Sequence, residues 1–383
     1  MLSAVAIPSL LAWLSLLAWL SLLAWAVLVF GRGGFWRADQ RLTNRQDEPE
    51  SWPALVAVIP ARDEAKTIGE TVASLLGSGY PGSLRVIVVD DQSTDGTAKA
   101  AGSDDRLTVL SGAALEDGWT GKLWAMNQGI EAAGDADYLL LTDADILHDG
   151  AELRRLVAKA QTEDLTLASL MVKLTAVSFP ERLLIPAFVF FFQKLYPFPW
   201  VNDPRRKVAA AAGGCMVVKR SALKEAGGVA AIRDRVIDDC AMGRLMKSQG
   251  PIWLGLARAT RSTRAYEKLD PIWHMVARTA FIQLDHSLLA LLGTVLGMVL
   301  LYGVPVVAFI AGDVWATLAG GAALLLMVTA YRPTLALYGF GPAHALSLPV
   351  AGVLYTLMTL DSARRHWTGA GNAWKGRTYP KGG

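Results

Sequence analysis

The sequence predicts an α/β domain with a mostly parallel sheet, flanked on both sides by transmembrane helices. Three observations predict it. Between residues 52 and 256, short apolar runs alternate with stretches of helical spacing, the pattern of strand–helix–strand units. Acidic residues gather where those runs end: Asp63 and Glu64, Asp90 and Asp91, Asp143 and Asp145. Uncharged apolar stretches lie on either side, in a chain of 383 residues that is 52% hydrophobic with a mean hydropathy of +0.32.

The first element, residues 7–30, carries no charge and exceeds the roughly 20 apolar residues needed to cross a bilayer. No basic residue precedes it, and it is longer than the apolar core of about 7–15 residues in a signal peptide. Residues 1–31 therefore read as an uncleaved anchor. Arg32, Arg37, Arg41 and Arg45 follow it and place the next domain in the cytoplasm by the positive-inside rule.

Within 52–256, residues 55–59 form a buried strand stopped by Pro60, and 64–76 a helix with Ile68, Val72, Leu75 and Leu76 on one side. Residues 84–89 form a second strand ending in Asp90 and Asp91. Residues 137–141 form another, running into Thr142-Asp143-Ala144-Asp145, with a helix over about 151–160 after it. Met242, Leu245 and Met246 mark an amphipathic helix behind Asp238 and Asp239. The stretch 183–192 is too short to span and too apolar for water, so it lies at the membrane interface or in a buried core.

Residues 257–287 connect to a C-terminal membrane region, 288–361, with apolar segments at 288–310, 314–331 and 345–360. The basic tail, 362–383, holds Arg364, Arg365, Lys375 and Arg377 and belongs in the cytoplasm. That requires an even number of crossings after the domain. The short segment 345–360 is accordingly expected to be re-entrant or interfacial.

A net charge of +3, with no basic stripe and no zinc-finger spacing, offers no case for nucleic acid as a partner, and none is expected. Cys215 and Cys240 imply no disulfide framework and read as small core residues. No Gly-x-Gly-x-x-Gly follows the first strand, and Gly121-Lys122-Leu123 has neither the spacing nor the Ser/Thr of a P-loop. Hydride transfer and P-loop ATP hydrolysis are thereby disfavoured.

The acids at strand ends suggest chemistry instead. In open α/β sheets, ligands bind at the carboxyl ends of strands. Asp143 and Asp145 offer oxygen ligands to a hard cation, Mg²⁺ or Mn²⁺, and the two metals are not distinguished. Glu64 and Asp91 are placed to accept from a nucleotide's imide N–H and ribose hydroxyls, or else to stabilise a first helical turn and a loop. Asp95-Gly96 is turn chemistry. Lys122 is either a phosphate contact or a solvated lysine, and Asp238 and Asp239 either cap a helix or serve as base. His148, near the acids, reads as structural.

Taken in order, these motifs resemble the family 2 glycosyltransferases, whose fold is called GT-A. The carriers are Val58-Ile59-Pro60-Ala61-Arg62-Asp63-Glu64, then Val88 to Thr97, Gly121-Lys122 with Ala125, Asn127 and Gly129, then Thr142-Asp143-Ala144-Asp145, and Ile237-Asp238-Asp239. Trp119 to Trp124, Gly213-Gly214-Cys215-Met216 and the membrane layout look like the hopene-associated members. The resemblance implies nucleotide binding by Pro60, Glu64, Asp91, Lys122 and Asp143. It implies a divalent metal on Asp145 and a catalytic base at Asp239, with Asp238 where a Glu is more usual. Arg278 loosely matches the Gln-x-x-Arg-Trp motif of processive members, without its Gln or Trp. It is either a phosphate contact or a membrane-interface anchor.

The resemblance thus implies a membrane-bound inverting enzyme of the cytoplasmic (inner) membrane. It would move a sugar from a UDP-linked nucleotide donor to a lipid acceptor, with a hopanoid as the narrower expectation. Two alternatives stand beside it: a polyprenyl-phosphate glycosyltransferase, and a non-catalytic membrane protein that only binds a nucleotide.

Overall fold

The computed structural model describes residues 3–43, 47–369, 373–374 and 377–378; Arg45 and Lys375 lie outside the described residues. The chain forms two compact units. One takes residues 39–175, 198–265 and 372–383, the other 1–38, 176–197 and 266–371. The stretch expected as one domain, 52–256, is therefore interrupted: 176–197 belongs to the apolar unit, while 39–51 and 257–265 join the sheet unit.

The sheet unit is built on eight strands: β1 Leu55–Ala61, β2 Leu84–Asp90, β3 Leu107–Ser111, β4 Tyr138–Thr142, β5 Ile146–Leu147, β6 Leu167–Lys173, β7 Cys215–Lys219 and β8 Ile252–Ser262. Their order across the sheet is β3-β2-β1-β4-β7-β6-β8-β5. The pairs β1–β2, β1–β4, β2–β3 and β6–β8 are parallel, while β7 runs antiparallel between β4 and β6 and β5 antiparallel on β8. Every residue of β1 and of β4 is buried, which is why both read as unbroken apolar runs. Each such Val, Leu or Ile contributes roughly 1.5–3 kcal/mol.

Pro60 does not stop β1, which continues to Ala61. The Ala61 carbonyl accepts from Asp91 N on the β2 side, so Pro60, one residue earlier, turns its missing N–H toward β4. The β1–β4 ladder has already ended at Val58 and Leu141, so no bond is lost. The helix expected over 64–76 begins later, as Ile68–Leu76, because Glu64 and Ala65 give their N–H groups to Thr97 and Asp95 across the neighbouring loop. Helix Gly121–Glu131 lies so close on the sheet that a Cβ at Gly129 would collide with Val58 and Val89.

Helix Gly150–Thr162 starts on Asp149, whose carboxylate accepts from Glu152 N at 2.8 Å. Glu152 is buried and does separate work. The β6–β8 register slips between Met171–Leu256 and Lys173–Arg261, leaving extra residues on β8. The Glu152 carboxylate takes up their N–H groups: Arg258 at 2.7 Å, Ala259 at 3.2 Å and Thr260 at 2.7 Å.

In the other unit, Leu10–Gly31, Leu288–Ala311, Val314–Leu337 and Pro342–Thr368 are long and apolar enough to cross a membrane. Leu10, Trp13, Leu289, Ile310 and Val314 stand exposed on them, as lipid-facing residues do. Helix Phe179–Leu195 opens on a capping box formed by Ser178 and Glu181. Its Phe190 is buried, with ring centroids 5.4 Å from Phe35 and 5.1 Å from Tyr331, while Phe179 is exposed.

The segment expected as a short 345–360 is longer: a 3₁₀ turn, Pro342–Ser347, and a helix, Leu348–Thr368. The direction of that helix is fixed by its contacts. Gly352, near its start, packs on Tyr302. Near its end, Ser362 Oγ accepts from Phe281 N at 3.0 Å, and the His366 ring stacks on His286 at 4.0 Å. It therefore runs antiparallel to Leu288–Met298 and finishes beside the residues that lead into that helix.

Candidate active site

The carboxyl ends of β1, β2 and β4 form one rim, and the loops behind β1 and β2 are stitched together there. Asp63 and Gln92 adopt left-handed backbone, with φ of 50° and 55°, conformations that cost a non-glycine residue about 1 kcal/mol or more. Cross-loop bonds hold them. Asp63 N donates to Ser93 Oγ at 3.0 Å, and Asp63 Oδ1 accepts from Thr94 N at 2.8 Å. Asp95 accepts from Ala65 N and Thr97 N, both at 3.0 Å, confirming its turn role. Asp91 is buried, with Arg62 Nη1 2.6 Å from its carbonyl and 3.6 Å from Oδ2.

Behind β4, Asp145 is buried, and its Oδ2 accepts from Arg264 Nε at 2.8 Å and from the Ser262 hydroxyl at 3.1 Å. Arg264 Nη2 reaches Glu64 Oε1 at 2.6 Å. One guanidinium thus joins two acids drawn from different strand ends. His148 is buried as well, its Nε2 2.9 Å from Thr142 Oγ1, while that hydroxyl donates to the Gly214 carbonyl at 2.7 Å. Burial pushes the imidazole down to about 3, so it is neutral and braces the end of β4.

Lys122, on the first turn of its helix, makes a second cluster. Its Nζ lies 2.8 Å from Asp143 Oδ1 and 2.9 Å from Asp238 Oδ2. Burial works against the ammonium, but the charges of Asp143 and Asp238 outweigh it and raise its pKa. Asp238 and Asp239 form the first turn of helix Asp238–Lys247. Asp239 Oδ1 accepts from Cys240 N at 2.7 Å and Oδ2 from Gly213 N at 3.3 Å. A Cβ on Gly213 would lie 3.4 Å from Asp239 Cβ and 3.5 Å from Lys122 Nζ, so glycine keeps the space over both open. Burial, and then the charge of Asp238, push Asp239 up to about 6, against the pull of Lys122 and the two N–H groups.

Of the residues singled out from sequence, the fold brings Glu64 and Asp145 onto one arginine, and Lys122, Asp143 and Asp238 into one cluster beside Asp239. Pro60 and Asp91 stand at the ends of β1 and β2. Arg278 belongs to the other unit, on helix Leu269–Thr279, with a buried Nε that meets no hydrogen-bond partner among the described residues. Sequence reasoning missed Arg264 and Arg62 as partners of the acids. Arg62 stands within the motif 58–64 but was given no role there, and Arg264 sits in no pattern that marks it out.

Among the described residues no three acidic, His or Cys groups gather as a self-sufficient metal cage. Mg²⁺ is usually held by one or two carboxylates together with substrate phosphates. Asp145, buried and satisfied on one oxygen by a cation and a hydroxyl, fits such a role.

Residues 56–227 match the family model described as glycosyl transferase family 2. That stretch, a little under half of the chain, is similar to the family. It is also 39% identical over 94 residues to a 4,4'-diaponeurosporenoate glycosyltransferase of Staphylococcus aureus, covering 24% of each. The chain spans about a quarter of the length of the curated relatives it matches. A mannosyltransferase from Pyrobaculum calidifontis, solved in complex with GDP-Man and Mn²⁺, superimposes with a TM-score of 0.53 at 20% identity. The match covers 91% of this chain and 98% of that one, a likeness of fold that agrees with a GT-A arrangement. The mixed α/β sheet and the apolar helices on either side of it in sequence are those the sequence led one to expect.

Proposed function

We propose that this chain is a membrane-bound, metal-dependent, inverting glycosyltransferase that moves a sugar from a UDP-linked donor to a lipid hydroxyl. The observation that carries the reading is the cluster around Lys122, which places the acid of the Asp-x-Asp motif and the acid pair at 238–239 side by side. Asp239, raised to about 6, is a stronger base than an ordinary aspartate and still ionised at neutral pH. It would take the proton of the acceptor hydroxyl as that oxygen attacks the anomeric carbon. Lys122 would face the diphosphate, and Glu64 and Asp91 the base and ribose. A bound Mg²⁺ or Mn²⁺ would supply Lewis-acid stabilisation to the departing diphosphate, with Asp145 as its protein ligand.

The four apolar helices and the likeness to a 4,4'-diaponeurosporenoate glycosyltransferase of Staphylococcus aureus support an acceptor of lipid character, with a hopanoid as the narrower reading. The location we propose is the cytoplasmic membrane with the sheet unit in the cytoplasm. The antiparallel course of Leu348–Thr368 supports a segment that re-enters and returns, leaving Arg364 and Arg365 on the side of residues 281–286.

The test is transfer or UDP release by purified protein in native lipid extract, with and without divalent metal, beside Asp145→Ala. Metal-dependent release that the substitution abolishes supports the reading. Folded protein that releases UDP from no common sugar nucleotide sinks it and leaves nucleotide binding alone.

A further inference from the structure

Arg264 contacts two acids that the proposed function assigns to different parts of the donor, Asp145 to the metal and Glu64 to the base. The two ends of that bridge differ in environment. The Asp145 side chain is 8% exposed and the Arg264 side chain 37%, so the carboxylate is fixed while the cation has a route into solvent. With Arg264 withdrawn, Asp145 Oδ2 would keep only the Ser262 hydroxyl, and a buried carboxylate left so needs another positive charge. A divalent ion held by Asp145 would compete with the guanidinium for the same carboxylate. At short range two cations repel strongly unless an anion lies between them.

We propose that Arg264 is the site's resident counter-ion. It holds Asp145 and Glu64 while no donor is bound, and a divalent ion gains Asp145 only together with the diphosphate, onto which the released guanidinium moves. A guanidinium suits that transfer, since its planar fork matches carboxylate and phosphate alike. Metal and nucleotide then bind as a pair. This rests on the reading of the site as a metal-dependent donor site.

The experiment is a Mn²⁺ titration of the full chain in detergent, followed by the paramagnetic resonance signal of free Mn²⁺, with and without UDP. Without UDP, Arg264→Gln should tighten Mn²⁺ binding by on the order of tenfold, whereas Arg264→Lys, which keeps the charge, should stay near wild type. UDP should tighten wild type far more than it tightens Arg264→Gln. Glu64→Gln, which removes one anchor of the arginine and leaves Asp145 intact, should shift Mn²⁺ binding in the same direction by less, and serves if Arg264→Gln does not fold. Equal Mn²⁺ affinity in wild type and both neutral variants without UDP would overturn the counter-ion role while leaving the donor site standing. No Mn²⁺ binding by any form, even with UDP, would overturn the donor site and this inference with it.

Discussion

Asp143 and Asp238 grip the same ammonium, Lys122 Nζ, at 2.8 and 2.9 Å. The charge of Asp238 is thereby divided between two neighbours: it is drawn toward Lys122 and it presses on Asp239. The acidity of the proposed base follows from that balance.

If Asp239 is the base, Asp239→Asn should lower kcat by about 10²–10⁴-fold and leave UDP affinity near wild type. Turnover and nucleotide binding, measured on the same preparation, separate the two effects. Near-normal turnover would instead point to an acceptor that needs no deprotonation, such as a polyprenyl phosphate.

The rate should rise with pH around a midpoint of about 6, because the working form is the carboxylate and burial with Asp238 has raised its pKa to that value. Asp238→Asn removes a like charge and should carry the midpoint down. Lys122→Gln removes an opposing charge and should carry it up, each by on the order of one pH unit. Rate profiles of the two variants that moved the same way would rule out this electrostatic account.

Glu152 accepts from three successive N–H groups of β8. Thr260 is buried while Arg258 and Ala259 are exposed, and a buried N–H left without a partner costs about 1–3 kcal/mol, so Glu152→Ala should destabilise the sheet unit by about 1–3 kcal/mol. Glu152→Gln keeps one acceptor oxygen and should fall between. Thermal unfolding in detergent reads the order, and a melting point equal to wild type for the alanine variant would contradict it.

A reporter fused after Thr368 should report the same side of the membrane as one inserted beside His286. This follows from the meeting of Ser362 with Phe281 and of His366 with His286. A reporter on the opposite side would make Pro342–Thr368 a full crossing.

Much of the sheet was legible because β1, β2 and β4 are buried on both faces and their residues announce it. β6, β7 and β8 were not assigned: β7 arrives only after an apolar helix of the other unit, and β8 carries Arg258 and Arg261 through a register slip. The acids of the site were legible from residue type and from their place at strand ends. Their partners were not, since Arg264 lies 119 residues beyond Asp145 and only the closing of the sheet brings them together. Pro60 misled because a proline's cost depends on which side of a strand its absent N–H faces, and sequence does not show that.

Placing β7 between β4 and β6 has a consequence for biosynthesis. When β6 has left the ribosome, β4 still has an open edge, and the strand that fills it follows an entire segment of the apolar unit. Until that segment has emerged, the half-made sheet presents an unpaired edge of Leu139, Leu140 and Leu141, a surface prone to pairing with other chains. Slow emergence of residues 176–197 should therefore appear first as loss of assembled sheet, with every acid of the candidate site intact.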